Sequence, residues 1–290
     1  MKIIDAHIHF CNNENFQRVG DACGQINSLE FLEREFKAHN IVKAVAMGTR
    51  SQDDREPCFP LLPNLGGTPS VENSTHPKMV SYCCGVDSSA IVGSARGKVL
   101  AEFERHLSSD LCVGIKIYSG YQKFYVHDRI HFPFYELVQH YNKAVVIHTG
   151  DTAGGRGLLK YSHPLTLDEL APEFPGINFV MAHYGNPWIV DATEVAVKNP
   201  NVFIDLSGLI EGYFEVDDYI EKYHGYIEHL KTWITYLSDY GKFMFGTDWP
   251  LVSFAPYIEL IKRLVPECHW NEVFYENAER IFFHNENFVK

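Results

Sequence analysis

The chain is predicted to be an α/β protein, a single-domain (β/α)8 TIM barrel, on three observations. Strand-like and helix-like segments alternate from end to end over 290 residues, the pattern of a parallel sheet covered by helices. Several of the strand-like runs, such as Ala144-Val145-Val146-Ile147 and Phe179-Val180-Met181-Ala182, are apolar without alternation, as strands buried on both faces are. Ligand-type side chains close several of these runs, where a barrel would gather them on one rim.

The strands fall at residues 3–9, 42–48, 79–86, 112–118, 144–149, 178–183, 202–206 and 243–248. The helix after the first strand covers 28–36, with Ser28 as its cap and Glu30 in its first turn, the arrangement that satisfies the free N–H groups there. Further helices are expected at 97–106, 133–140, 165–174 and 191–199, with one or two more between 215 and 239. Eight units of about 36 residues are slightly longer than the ~31 of a common barrel. The excess lies in residues 11–27 and 49–77. Both follow strands at the end where barrels build active sites, which makes them candidate lids. A doubly wound open sheet is the alternative, but no glycine-rich phosphate loop follows the first strand.

Composition narrows the function. The net charge of −12 argues against nucleic acid as a partner. An anionic small molecule stays open, because local Arg and Lys side chains can reverse the field in a cleft. No apolar run has membrane-spanning length. Seven cysteines without a paired framework favour a reducing compartment. The N-terminal residues enter a strand pattern rather than a basic and apolar leader. A cytoplasmic protein acting on a small molecule is expected, with a homodimer as the ordinary assembly.

The most informative stretch is Asp5-Ala6-His7-Ile8-His9. On a strand, residues i and i+2 share a face, so His7 and His9 project together. Lys116 lies late in the fourth strand, His148 ends the fifth, His183 the sixth and Asp248 the eighth. A barrel would bring all six to one mouth. Neutral imidazole and carboxylate suit a divalent cation, zinc foremost and manganese next. Such an ion acidifies its bound water to about pKa 7, and Asp248 is placed to be base, ligand or both. Arg156, Lys160, His163 and Arg50 follow the fifth and second strands and are candidates for holding substrate. Asp205, ending the seventh strand, is a candidate for holding the pocket floor by hydrogen bonds. His106, His140, His224, His229, His269 and His284 fall on predicted helices and are expected on the outer surface.

The strand-one motif, the single histidines on strands five and six, and Thr247-Asp248-Trp249-Pro250 resemble the amidohydrolase superfamily. The nearer likeness is to its branch of metal-dependent hydrolases and non-oxidative decarboxylases, whose closing helix Asn277-Ala278-Glu279-Arg280-Ile281-Phe282 also resembles. The resemblance implies that His7, His9, His148 and Asp248 bind metal, and that His183 binds a second ion or polarises the substrate carbonyl. Two-metal members imply a carboxylated Lys116 bridging the ions; a cationic lysine anchoring a substrate carboxylate is the other reading, so one or two ions are expected. The leading expectation is a hydrolase attacking an amide, lactone or ester with metal-activated water, with Asp248 and His183 catalytic. Decarboxylation of a small aromatic or unsaturated acid and a non-catalytic metal-binding barrel are the alternatives.

Overall fold

The computed structural model describes residues 1–10, 14–49, 63, 77–88, 91, 96–153 and 155–283. Its strands are β1 (Ile3–Ile8), β2 (Ile41–Met47), β3 (Val80–Val86), β4 (Cys112–Ile117), β5 (Ala144–His148), β6 (Asn178–Ala182), β7 (Val202–Asp205) and β8 (Phe243–Met244). They form one sheet in sequence order, and every neighbouring pair is parallel. The sheet closes on itself: Ala6 N donates to Phe245 O at 2.9 Å, and Asp248 N donates to His7 O at 2.9 Å. A (β/α)8 barrel is therefore the observed fold, as its apolar strand runs predict.

Asp5 ties the closing seam. Its buried carboxylate accepts from the Thr247 N–H at 3.0 Å, the Thr247 hydroxyl at 2.6 Å and the His7 N–H at 3.2 Å. Burial pushes this carboxyl up to about 7, against those three hydrogen bonds. Inside the barrel, Ile4, Ala6, Val45, Met47, Val146 and Val180 pack together, while alternate residues face the helices. Ala278, just after the wide helical turn Glu272–Glu276, and Ile281 and Phe282 on the turn Glu279–Phe283 plug the floor of the cylinder.

The helices are α1 (Glu14–Ala22), α2 (Leu29–His39), α3 (Arg96–Leu107), α4 (Phe132–His140), α5 (Leu165–Leu170), α6 (Ile189–Lys198), α7 (Val216–Lys222), α8 (His224–Leu237) and α9 (Phe254–Leu264). Ser28 caps α2, its hydroxyl accepting from Phe31 N. Three elements depart from the sequence reading: β8 ends at Met244 rather than at 248, so Asp248 lies on the segment after it, and two helices are additional. Residues 14–22 form α1 rather than open loop, and α9 follows β8 where the sequence reading gives no helix a range. The second candidate lid, 49–77, lies almost wholly outside the described residues, as do Arg50 and His284.

His106 departs as well. It lies on α3 but is fully buried, 2.7 Å from the Tyr82 hydroxyl of β3. Burial, helped by the Arg105 charge, holds its imidazole down to about 4. Among the described residues the cysteines are free, and no helix is long and apolar enough to cross a membrane.

Candidate metal centre

Each strand end delivers its predicted side chain to the C-terminal mouth. The His7 and His9 rings lie 5.2 Å apart. The His183 ring stands 4.9 Å from that of His7 and 4.9 Å from that of His148. Asp248 Oδ1 is 3.1 Å from His9 Nε2 and 3.5 Å from His7 Nε2. Lys116 Nζ is 3.4 Å from His7 Nε2. All six side chains are buried. Residues remote in sequence thus share one pocket.

The backbone reaches this arrangement by leaving ordinary conformations. His183 and Asp248 both sit at φ 65°, in the left-handed region that most side chains avoid. Beside them Gly208, at φ +61°, presses on the His183 ring. A Cβ there would stand 2.5 Å from His183 Nδ1.

Burial sets the protonation states. Burial and the Lys116 charge hold His7 down to about 3, against the attraction of Asp205. Burial likewise depresses His183, and depresses His148 well below the usual imidazole range. Lys116 is brought down to about 8 by burial, opposed by Asp205 and Asp248. Burial alone would raise Asp248, but His183 and His9 beside it hold it well below the usual carboxylate range. The pocket therefore offers neutral imidazole lone pairs and an ionised carboxylate, the donor set a borderline divalent cation takes.

Two overlapping groups could hold an ion: His7, His9 and Asp248, or His7, His183 and Asp205. Hydrogen bonding separates them. Asp205 is saturated. Its Oδ2 accepts from His7 Nδ1 at 2.9 Å, and its Oδ1 accepts from the N–H groups of His183 and Ser207 and from the Ser207 hydroxyl. Asp248 Oδ1 is buried with no hydrogen bond to satisfy it, and so is His9 Nδ1. A buried orphaned carboxylate oxygen is costly, and an ion removes that cost. Donors around one tetrahedral ion with ~2.0–2.1 Å bonds stand roughly 3.3 Å apart; the Asp248–His9 and Asp248–His7 separations of 3.1 and 3.5 Å bracket that spacing. The donor set fits a metal.

Three of the four candidate substrate holders lie among the described residues. Arg156 is exposed on the segment after β5. Lys160 is exposed, its ammonium 4.7 Å above the Tyr161 ring. His163 lies against Trp188 and accepts from Leu165 N at the start of α5. Among the described residues none of the three contacts the imidazole cluster. Two residues that sequence reasoning missed do touch it. Phe16 of α1 stacks on His9 at 4.8 Å, and Tyr121 packs on His148 at 4.8 Å. Neither carries a sequence signal, since both come from segments after strands with no motif. Ser207, also missed, stands two residues beyond Asp205, a spacing that could have flagged it.

A parallel eight-stranded barrel with imidazoles and a carboxylate at its C-terminal mouth defines a TIM-barrel protein with a candidate metal site. The chain belongs to the amidohydrolase family: residues 86–283 match the family described as Amidohydrolase. An uncharacterised TIM-barrel protein from Bordetella bronchiseptica has a similar fold, with TM-score 0.69 and 20% identity over 97% of this chain and 98% of that one. An amidohydrolase from Burkholderia multivorans with bound zinc gives TM-score 0.64 and 15% identity over 97% and 99%. The 2,6-dihydroxybenzoate decarboxylase from Rhizobium gives 0.63 and 14% over 97% and 98%. Protein fluG of Emericella nidulans is 37% identical over 65 residues, which span 22% of this chain and only 7% of that protein.

Proposed function

We propose that this protein is a metal-dependent hydrolase of a small molecule carrying an amide, lactone or ester bond, with His7, His9, His148 and Asp248 holding the ion. The observation that carries the reading is the buried, unsatisfied Asp248 Oδ1 facing the Nε2 atoms of His7 and His9. When bound, a zinc or manganese ion acidifies water and polarises a carbonyl. Asp248, an acceptor at neutral pH, takes the proton of the attacking water and returns it to the leaving group. His183 Nε2 makes no hydrogen bond among the described residues and faces the same pocket, where it positions the substrate carbonyl. Lys116, beside His7 at the mouth, supplies fixed positive charge for the oxyanion that develops; in a two-ion site the same side chain would instead be carboxylated. Arg156, Lys160, His163 and Arg50 remain candidates for gripping an acidic substrate group.

A second reading, non-oxidative decarboxylation, is favoured by the Rhizobium decarboxylase, whose fold is as similar as that of the zinc-bound amidohydrolase. It would use the same residues, with the substrate carboxylate in place of the carbonyl.

Metal analysis of the purified protein tests both readings at once. Loaded protein is expected to hold one or two ions per chain. Asp248→Asn is expected to lose at least ~10-fold in metal affinity and ~10³-fold in turnover while keeping its melting temperature. Retained metal and turnover in that variant sinks the assignment. Release of carbon dioxide without uptake of water moves the reaction to the lyase reading.

A further inference from the structure

We infer that Asp205 and Ser207 together lock the proton onto Nδ1 of both His7 and His183, so that both imidazoles present an Nε2 lone pair to the pocket. The inference rests on the proposed metal-dependent reading for its use, but the hydrogen bonding stands by itself.

A carboxylate can only accept. Asp205 Oδ2 lies 2.9 Å from His7 Nδ1, so that nitrogen carries the hydrogen. Asp205 Oδ1 receives the single hydroxyl proton of Ser207. The Ser207 oxygen has then only lone pairs to offer His183 Nδ1 at 3.0 Å. The Ser207 carbonyl oxygen faces the same nitrogen at 3.3 Å, and Asp248 Oδ2 at 4.0 Å. Every group facing His183 Nδ1 is an acceptor, so this nitrogen must donate. His148 is set the opposite way. Its Nε2 donates to Asp151 O at 2.8 Å, which leaves Nδ1 free. One buried carboxylate on β7 therefore decides which atom two imidazoles, on β1 and after β6, turn toward the ion or substrate. Gly208 lets the Ser207 backbone approach closely enough to do so. Asp205 and Ser207 are positioning residues: neither reaches the pocket with a free polar atom. If Ser207 served only the turn after β7, its hydroxyl could be removed without consequence for His183.

The test is long-range ¹H–¹⁵N correlation on metal-free protein labelled in its histidines, with His7→Gln and His183→Gln spectra for assignment. Wild-type protein is expected to show the Nδ1–H form for His7 and His183 and the Nε2–H form for His148. Ser207→Ala removes the nearer acceptor and leaves the residue-207 carbonyl at 3.3 Å; it is expected to admit a measurable Nε2–H fraction at His183 alone and to weaken zinc binding by ~10-fold, measured by competition with a chromophoric chelator. Ser207→Thr, which keeps the hydroxyl, is expected to restore both. An Nε2–H signal from His183 in wild-type protein, or a Ser207→Ala spectrum identical to wild type, overturns the inference. Expected tautomers in a protein that binds no zinc or manganese would uphold the lock and refute the metal-dependent reading instead.

Discussion

The barrel buries charge at both ends and treats it differently. At the floor, Lys242 gives its ammonium protons to three backbone carbonyls, those of Asn199, Pro200 and Val202, at 2.8–3.1 Å. Nearby, Asn277 donates to the Tyr240 and Phe243 carbonyls, and Lys43 pairs with Glu279 at 2.7 Å. These floor groups have their partners within the chain. At the mouth, Asp248 and His9 each keep a buried atom without a hydrogen bond, and two side chains stand on strained backbone. Satisfied charge holds a fold together; unsatisfied charge, held rigidly, is capacity for binding. The floor is built for stability and the mouth for chemistry.

That contrast can be broken by placing one change at each end. The largest effect is expected at the mouth. Gly208→Ala puts a methyl group against His183 Nδ1 and should lower turnover by ~10²-fold, while left-handed strain costs only about 1–2 kcal/mol of stability. Steady-state kinetics beside urea unfolding checks this; a variant that unfolds but turns over normally when folded would abolish the contrast. At the floor the signs should reverse. Lys242→Met removes one donor from each of three carbonyls, of which Asn199 O keeps the Val202 N–H at 3.1 Å, and should cost about 1–3 kcal/mol with turnover at low temperature within about 2-fold of wild type. The smallest effect is expected between barrel and helices, at His106. Its imidazole is neutral in the fold and titrates at about 4, against 6.5 for an unperturbed histidine. The unfolded chain therefore takes up the proton first. The stabilisation is present in full above pH 6.5 and is lost as pH falls toward 4. Melting curves of wild type and His106→Gln should differ most at pH 7 and converge toward pH 4; a gap that widens on acidification would contradict the assignment.

Much of this was legible in the sequence. Doubly buried parallel strands are apolar throughout, so their runs stand out, and a strand end followed by a loop is where a barrel exposes side chains. His7, His9, Lys116, His148, His183 and Asp248 were readable for that reason. What was not readable depends on neighbours distant in sequence. His106 lies on a helix as the exposed His140 and His224 do, but it is buried against Tyr82 on β3, a partner 24 positions away in sequence. That Asp205 holds its surroundings by hydrogen bonds is an expectation the structure bears out, but the particular donors that reach it, from β1, from the end of β6 and from its own loop, are not legible in the sequence. Helix α1 was hidden because its residues follow a strand end that reads as loop.

The seam between first and last strands has a consequence for synthesis. Asp5 and Thr247 join the very strands that carry His7, His9 and Asp248, so the cylinder and its cation cradle are completed in a single docking event. A nascent polypeptide still lacking β8 owns the histidines but neither the opposing carboxylate nor the ties that level them. On the proposed reading, cation loading would therefore report that translation has run through to the final strand.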